Sequence, residues 1–293
     1  MATPKKVRKI YNPGSTHWVG DGFHVRNLFP SNGIGDELSP FLMLDYAGPT
    51  RVKPSPNPRG VGEHPHRFET VTIAYQGAVE HRDSAGHSGT ICPGDVQWMT
   101  AASGVVHEEM HEHDFARKGG TFEMIQLWVN LPKAHKMSRP RYQTLAKENI
   151  PTVQLGPAGY ARVIAGELAG VKGPAQTFTP VNVFDVRLKA GHQTELTLPA
   201  GQNAAVVLLK GNVILNSGEQ LQGEAKIALL SPEGEQITLD VMEDTTLLIL
   251  SGEPIHEPVF SYGPFVMNTR EEILEAVADY QAGKMGNLEA KVA

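Results

Sequence analysis

The chain has one cysteine, Cys92, among 293 residues, so no disulfide can form within it. That economy of thiol fits a reducing compartment, the cytoplasm or, in a eukaryote, the nucleus. No apolar run approaches the ~20 residues of a membrane-spanning helix. The opening MATPKKVRKIY carries charge but no apolar stretch, which argues against a secretory signal. Its KKVRK reads as a solvated arm rather than a localisation tag. A long basic run is missing too, and 26 basic against 32 acidic residues leave a net charge of −6. Direct binding to nucleic acid is therefore not expected.

Turn-forming residues are abundant: 30 glycines and 21 prolines punctuate almost every segment. Between them lie short apolar or alternating runs that read as strands: FETVTIAYQGAVEHRD, GDVQWMTA, GVVHEEMHE, FEMIQLWVNLP, VNVFDVRL, AAVVLLKGNVIL, QITLDV and TTLLILSG. Many short strands at this spacing predict an all-β sandwich or barrel. RVKPSPNPRGVG, Arg51 to Gly62, reads as an irregular loop. The segment NTREEILEAVADYQAGKMG predicts one helix over about 269–283. Thr269 and Glu272 form a capping box, Ile273, Val277 and Tyr280 share a face, and Gly283 suits the stop.

Two stretches align without a gap: HPHRFETVTIAYQG from His64 and LPAGQNAAVVLLKG from Leu198. The match predicts two similar β domains meeting near residues 140–180. Where the first copy has His64 and His66, the second has Leu198 and Ala200. One copy is equipped for chemistry and the other is not.

Ten of the 12 histidines lie at or before His135, and seven fall between His64 and His113. His64 and His66 are two apart, so on an extended segment they point the same way, and Pro65 stiffens the stretch between them. His107 and Glu109 share a face on a second strand. Together the four residues would offer three imidazoles and a carboxylate to one divalent ion such as iron, copper, manganese or zinc. An octahedral ion would keep two positions open, unlike a closed thiolate zinc site.

The other candidates read as less central. His111 and His113 lie where the strand turns polar and are expected to be solvated. His81 and His87 flank RDSAG, a hairpin-turn sequence, and are expected to be exposed. Glu69, three residues after His66, should face away from the ligands as an outer or rim residue. Cys92 reads as a small packed residue. Trp98, Met99 and Trp128 read as core or as pocket wall.

HPHRFETVTIAYQGAVEHRDSAGHSGTICPGDVQWMTAASGVVHEEM, IQLWVNLPKAHKMSRPRYQ and YGPFVMNTREEILEAVADYQAGKMG, with the FHVRNLFP opening, make the chain resemble the pirin family of bicupins. The likeness covers nearly the whole sequence. It implies two cupin-type β-barrel or jelly-roll domains closed by a C-terminal helix. A metal-binding domain is expected over 1–140, a linker and strand-exchange region over 141–180, and a metal-free cupin with the closing helix over 181–293. The family's HPH and G-x-x-H-x-E ligands carry onto His64, His66, His107 and Glu109, with Fe(II) the expected ion and copper, manganese, nickel or zinc the rivals. One departure is visible: family members usually read HPHRGFET, whereas Arg67 here runs straight into Phe68. That bears on the pocket wall and on Glu69. The resemblance further implies quercetin 2,3-dioxygenase chemistry, opening a flavonol ring with release of carbon monoxide, in which Glu109 takes the 3-hydroxyl proton. The other role it implies is regulatory: a redox-responsive protein that binds a transcription factor or a metabolic enzyme.

Overall fold

A computed structural model describes residues 3–12, 14–29, 35–216 and 218–288. The chain forms two compact units. One gathers Ser15–Asn32, Leu42–Ala146 and His256–Ala293; the other gathers Met1–Gly14, Gly33–Phe41 and Lys147–Ile255. This division crosses the expected one, and the pairing of the chain explains why. Val7–Tyr11 is an edge strand hydrogen-bonded to Glu219–Leu230, which ties the N-terminus to the second unit. The helix Arg270–Gln281 buries Ile273 and Ala276 against Val106 and Met267, inside the first. The segment 141–180, expected as a linker and strand-exchange region, contributes strands to the large sheet of each unit. Arg141–Leu145 pairs with Val96–Thr100, while Thr152–Gln154 and Gly159–Ala165 extend the second unit's sheet.

The histidine-rich unit holds two main sheets and the short antiparallel pair Phe260–Tyr262 and Phe265–Met267. The larger runs in the order Arg141–Leu145, Val96–Thr100, Glu69–Gln76, Gly120–Val129, Phe41–Val52, Phe23–Phe29 and Thr16–Val19. The smaller runs Gly60–His66, Val105–His111, Val79–Asp83 and Ser88–Ile91. Phe23, Val25, Ala74, Phe122 and Met124 of the first meet Val79 and Ile91 of the second in one apolar cluster. Period-two alternation decides what each strand sends inward. In Val79–Asp83 it buries Val79, His81 and Asp83 and leaves Glu80 and Arg82 half-buried.

The second unit has an eight-stranded sheet, with the small pair Glu167–Leu168 and Val171–Lys172 beside it in sequence, and an apolar interior of Phe184, Leu196, Val206, Leu208, Ile237 and Leu239 among others. Leu198, at the position matching His64, joins that interior. Ala200, matching His66, is exposed. Hydrocarbon thus replaces imidazole where the repeats correspond.

Several local expectations change. KKVRK is not a solvated arm: Lys5 is fully buried, and its Nζ donates to the carbonyls of Gln202, Ser231 and Pro232 at 3.2, 3.1 and 2.9 Å. Those three acceptors offset the cost of burying an ammonium. QITLDV and TTLLILSG form a single strand, Gln236–Gly252, whose register shifts against Asn203–Leu215 absorb the intervening polar residues. The proline-rich loop is shorter than expected, because strands claim Arg51–Val52 at one end and Gly60 onward at the other. Cys92 is exposed rather than packed. The capping box of Thr269 and Glu272 is present. Tyr280, however, points outward, and Asp279 is the buried residue, because it meets the Arg67 guanidinium at 2.6 Å. Among the described residues no helix is long and apolar enough to cross a membrane.

Candidate metal centre

Gly60–His66 and Val105–His111 lie antiparallel, with His107 opposite His64 and Val105 opposite His66. The register then slips, so that Glu109 stands opposite Val61. His64, His66 and His107 converge, their ring centroids 4.2 to 4.9 Å apart, with the potential ligand atoms all within 4.8 Å of one another.

Each imidazole is held by its second nitrogen. His64 Nδ1 lies 2.8 Å from the Gly62 carbonyl oxygen, and His66 Nδ1 lies 3.2 Å from that of Pro264. A carbonyl only accepts, so these contacts assign the hydrogen to Nδ1 and leave Nε2 as a bare lone pair. His107 Nε2 is buried without a partner. A buried polar atom left unpaired costs ~1–3 kcal/mol unless something fills its valence. Burial holds His66 and His107 well below the ordinary histidine range, and the neighbouring imidazoles add to the effect. Burial lowers His64 too, while the Gly62 carbonyl and Glu109 pull it back. Neutral rings with free nitrogens are what a borderline cation requires, so the residues present fit a metal.

Glu109 is 3 % exposed. Its Oε1 accepts from Thr72 Oγ1 at 2.9 Å and Gln97 Nε2 at 3.2 Å, and its Oε2 accepts from Gln126 Nε2 at 2.8 Å. It clusters with His107 and His81, while His107 also belongs with His64 and His66. All four expected residues therefore lie on adjoining strand positions, with His107 joining two overlapping triads.

A cavity of about 200 Å³ opens onto His64, His66, Glu109 and Gln126 and is walled by Phe23, Val25, Met43, Met124 and Trp128. Trp128 is backed by Phe68 at a centroid distance of 4.3 Å, so the shortened HPHRF stretch still supports the wall. Trp98, by contrast, is fully buried core.

Sequence reasoning missed several participants. His81, expected to be exposed, is fully buried at 0 %, and His111, expected to be solvated, is buried at 2 %. The signal for His81 was Val79, an apolar residue of the same strand parity. His113 is exposed, and His87 is half-buried. Asp45 also lines the cavity. Burial raises its carboxyl, against the Asn27 amide, which donates to Oδ1 at 2.7 Å. An acid inside the apolar run FLMLDYAG was its only advertisement.

Glu69 is 1 % exposed and accepts from Thr100 Oγ1 at 2.7 Å. Burial pushes its carboxyl up to about 7 from 4.5. The folded state therefore holds a proton that the unfolded chain has released, and stability should fall as pH rises from about 4.5 through 7. Over that window the loss amounts to ~3 kcal/mol. Buried His64, His66 and His107 push the other way as pH rises, but equally in a variant at Glu69, so urea unfolding at pH 5 and pH 8 should show the stability of the wild type falling relative to that of Glu69→Gln. An identical pH dependence in both proteins would refute the assignment.

A family model described as Pirin matches residues 22–129, and one described as Pirin C-terminal cupin domain matches residues 183–286. A Pseudomonas aeruginosa protein named "Putative quercetin 2,3-dioxygenase" is 54 % identical over 96 % of this chain and 98 % of its own length. A Solanum lycopersicum pirin-like protein is 40 % identical over 91 % of this chain and 88 % of its own. The crystal structure of a quercetin 2,3-dioxygenase from Acinetobacter baumannii superposes with a TM-score of 0.95 at 50 % identity, covering 98 % of this chain and 100 % of that one. Two cupin-type domains, histidines gathered in one of them and likeness along nearly the whole length agree: the chain belongs to the pirin family.

Proposed function

We propose that His64, His66, His107 and Glu109 hold one divalent cation, Fe(II) before copper, manganese, nickel or zinc, and that the protein is a flavonol 2,3-dioxygenase. The observation that carries this reading is the convergence of three imidazoles, His107 among them with a buried, unpartnered Nε2, beside an apolar cavity that His64, His66 and Glu109 line. The cation, when bound, supplies Lewis acidity and one-electron chemistry toward dioxygen. The chain supplies the rest. Phe23, Met43, Met124 and Trp128 offer a flat apolar slot that excludes water from one ring of the substrate. Glu109, kept as an acceptor by Thr72, Gln97 and Gln126, takes the flavonol 3-hydroxyl proton. The names of the relatives support the same reaction class.

The test is anaerobic loading with Fe(II), followed by quercetin and air, with loss of the flavonol absorbance as the readout. Turnover that depends on the metal is the expected result. An iron-loaded protein that leaves quercetin untouched would refute the enzyme reading and favour the redox-responsive binding role. Metal analysis of protein purified from its own host decides the ion.

A further inference from the structure

Of the three clustered imidazoles, His107 is the one held by another ring rather than by a backbone carbonyl. Its Nδ1 lies 3.4 Å from Nδ1 of His81. Two ring nitrogens share a hydrogen only when one carries it and the other offers a lone pair. The choice is made one residue further out. His81 Nε2 stands 3.3 Å from Asp83 Oδ2, and a carboxylate only accepts. The hydrogen of a neutral His81 therefore sits on Nε2, its Nδ1 is bare, and the shared hydrogen belongs to His107 Nδ1. This leaves the lone pair of His107 on Nε2, the buried atom that has no other partner.

We propose that Asp83 and His81 are positioning residues that fix the tautomer of His107, so that its Nε2 lone pair is presented to the cation. This deepens the ligand reading above and rests on it. The strand pairing supplies the geometry: Asp83 lies opposite His107, and His81 lies opposite Glu109, on adjacent strands. Asp83 Oδ1 is pinned by the backbone N–H groups of Ala85 at 2.9 Å and His87 at 3.0 Å. The His81 ring plane is set by Tyr142, stacked at 4.9 Å and 22°. The chain has a direction, from carboxylate to imidazole to imidazole, and the direction can be reversed.

Asp83→Asn performs that reversal. The backbone N–H groups of Ala85 and His87 still donate to Oδ1, so the new amide nitrogen takes the place of Oδ2 and donates to His81 Nε2, while the half-buried His87 ring, whose Nδ1 lies 3.1 Å from Oδ2, offers it a lone pair or turns away. The hydrogen of His81 then moves to Nδ1, and that of His107 moves to Nε2. Long-range ¹⁵N–¹H correlation on metal-free protein labelled at its histidine nitrogens reads both states directly. The wild type should show His107 protonated on Nδ1, and Asp83→Asn should show it on Nε2. Co(II) affinity should fall by about 10- to 100-fold in the variant, the usual cost of losing an outer partner of a metal-bound histidine. His81→Phe, which keeps a ring against Tyr142 but offers no acceptor, should weaken Co(II) binding similarly, and it covers the case in which Asp83→Asn does not fold. Wild-type His107 protonated on Nε2, an unchanged tautomer in Asp83→Asn, or wild-type Co(II) affinity in either variant overturns the proposal. Wild-type protein that takes up no Co(II) refutes the ligand reading itself. That failure is separately recognisable, because the nitrogen resonances are read without metal.

Discussion

Replacing His107 with phenylalanine is expected to abolish stoichiometric metal binding while leaving the protein folded. His107 is common to both triads of potential ligands, and it is fully buried. Phenylalanine keeps a ring of similar volume and so limits the cavity penalty. What it removes is the unpartnered Nε2 proposed to bind the cation and the nitrogen facing His81. The residual cost to folding is that of one unpaired imidazole nitrogen, ~1–3 kcal/mol. The cost to binding should exceed the ~10–100-fold of an outer-shell change, because a direct donor is lost from a small set. Metal content after loading and dialysis, with a thermal melt as the control, checks both halves. A folded His107→Phe that retains one equivalent of metal would remove His107 from the ligand set.

Glu109→Gln should separate binding from chemistry. The amide retains an oxygen for the site but cannot take a proton, so turnover of quercetin should drop by the ~10²–10⁴-fold typical of a lost general base. Metal should be retained through the three imidazoles. The variant has its own local problem: an NH₂ group now faces one of the donors that converged on the carboxylate. Gln126 resolves it by turning its amide, since its side chain presents an oxygen as readily as a nitrogen. Turnover equal to the wild type at full metal occupancy would exclude Glu109 as the base.

The parts of the fold that were readable in advance are those governed by local rules. Strand periodicity located Val105–His111, the two-residue spacing set His64 and His66 on one side of an extended stretch, and the capping box located the helix. Other features depend on partners distant in sequence. Lys5 looks like a surface lysine until the carbonyls of residues 202, 231 and 232 arrive around it. Asp279 looks like the outer face of a helix until Arg67 meets it. His81 reads as exposed for another reason: the adjacent turn sequence masks the parity it shares with Val79, although turn chemistry acts on the backbone and says little about which side chains face inward. The carboxylate supports Thr72, Gln97 and Gln126 come from three different strands, and no short motif could announce them.

His66 takes its carbonyl partner from a residue 198 positions later, and Arg67 meets its carboxylate 212 positions later. The ribosome makes HPHR first and Pro264 and Asp279 only after every strand of the second unit has been synthesised. On the nascent polypeptide, therefore, the imidazoles exist long before their full set of restraints. The ring of His66 gains its carbonyl partner only once Pro264 has been made.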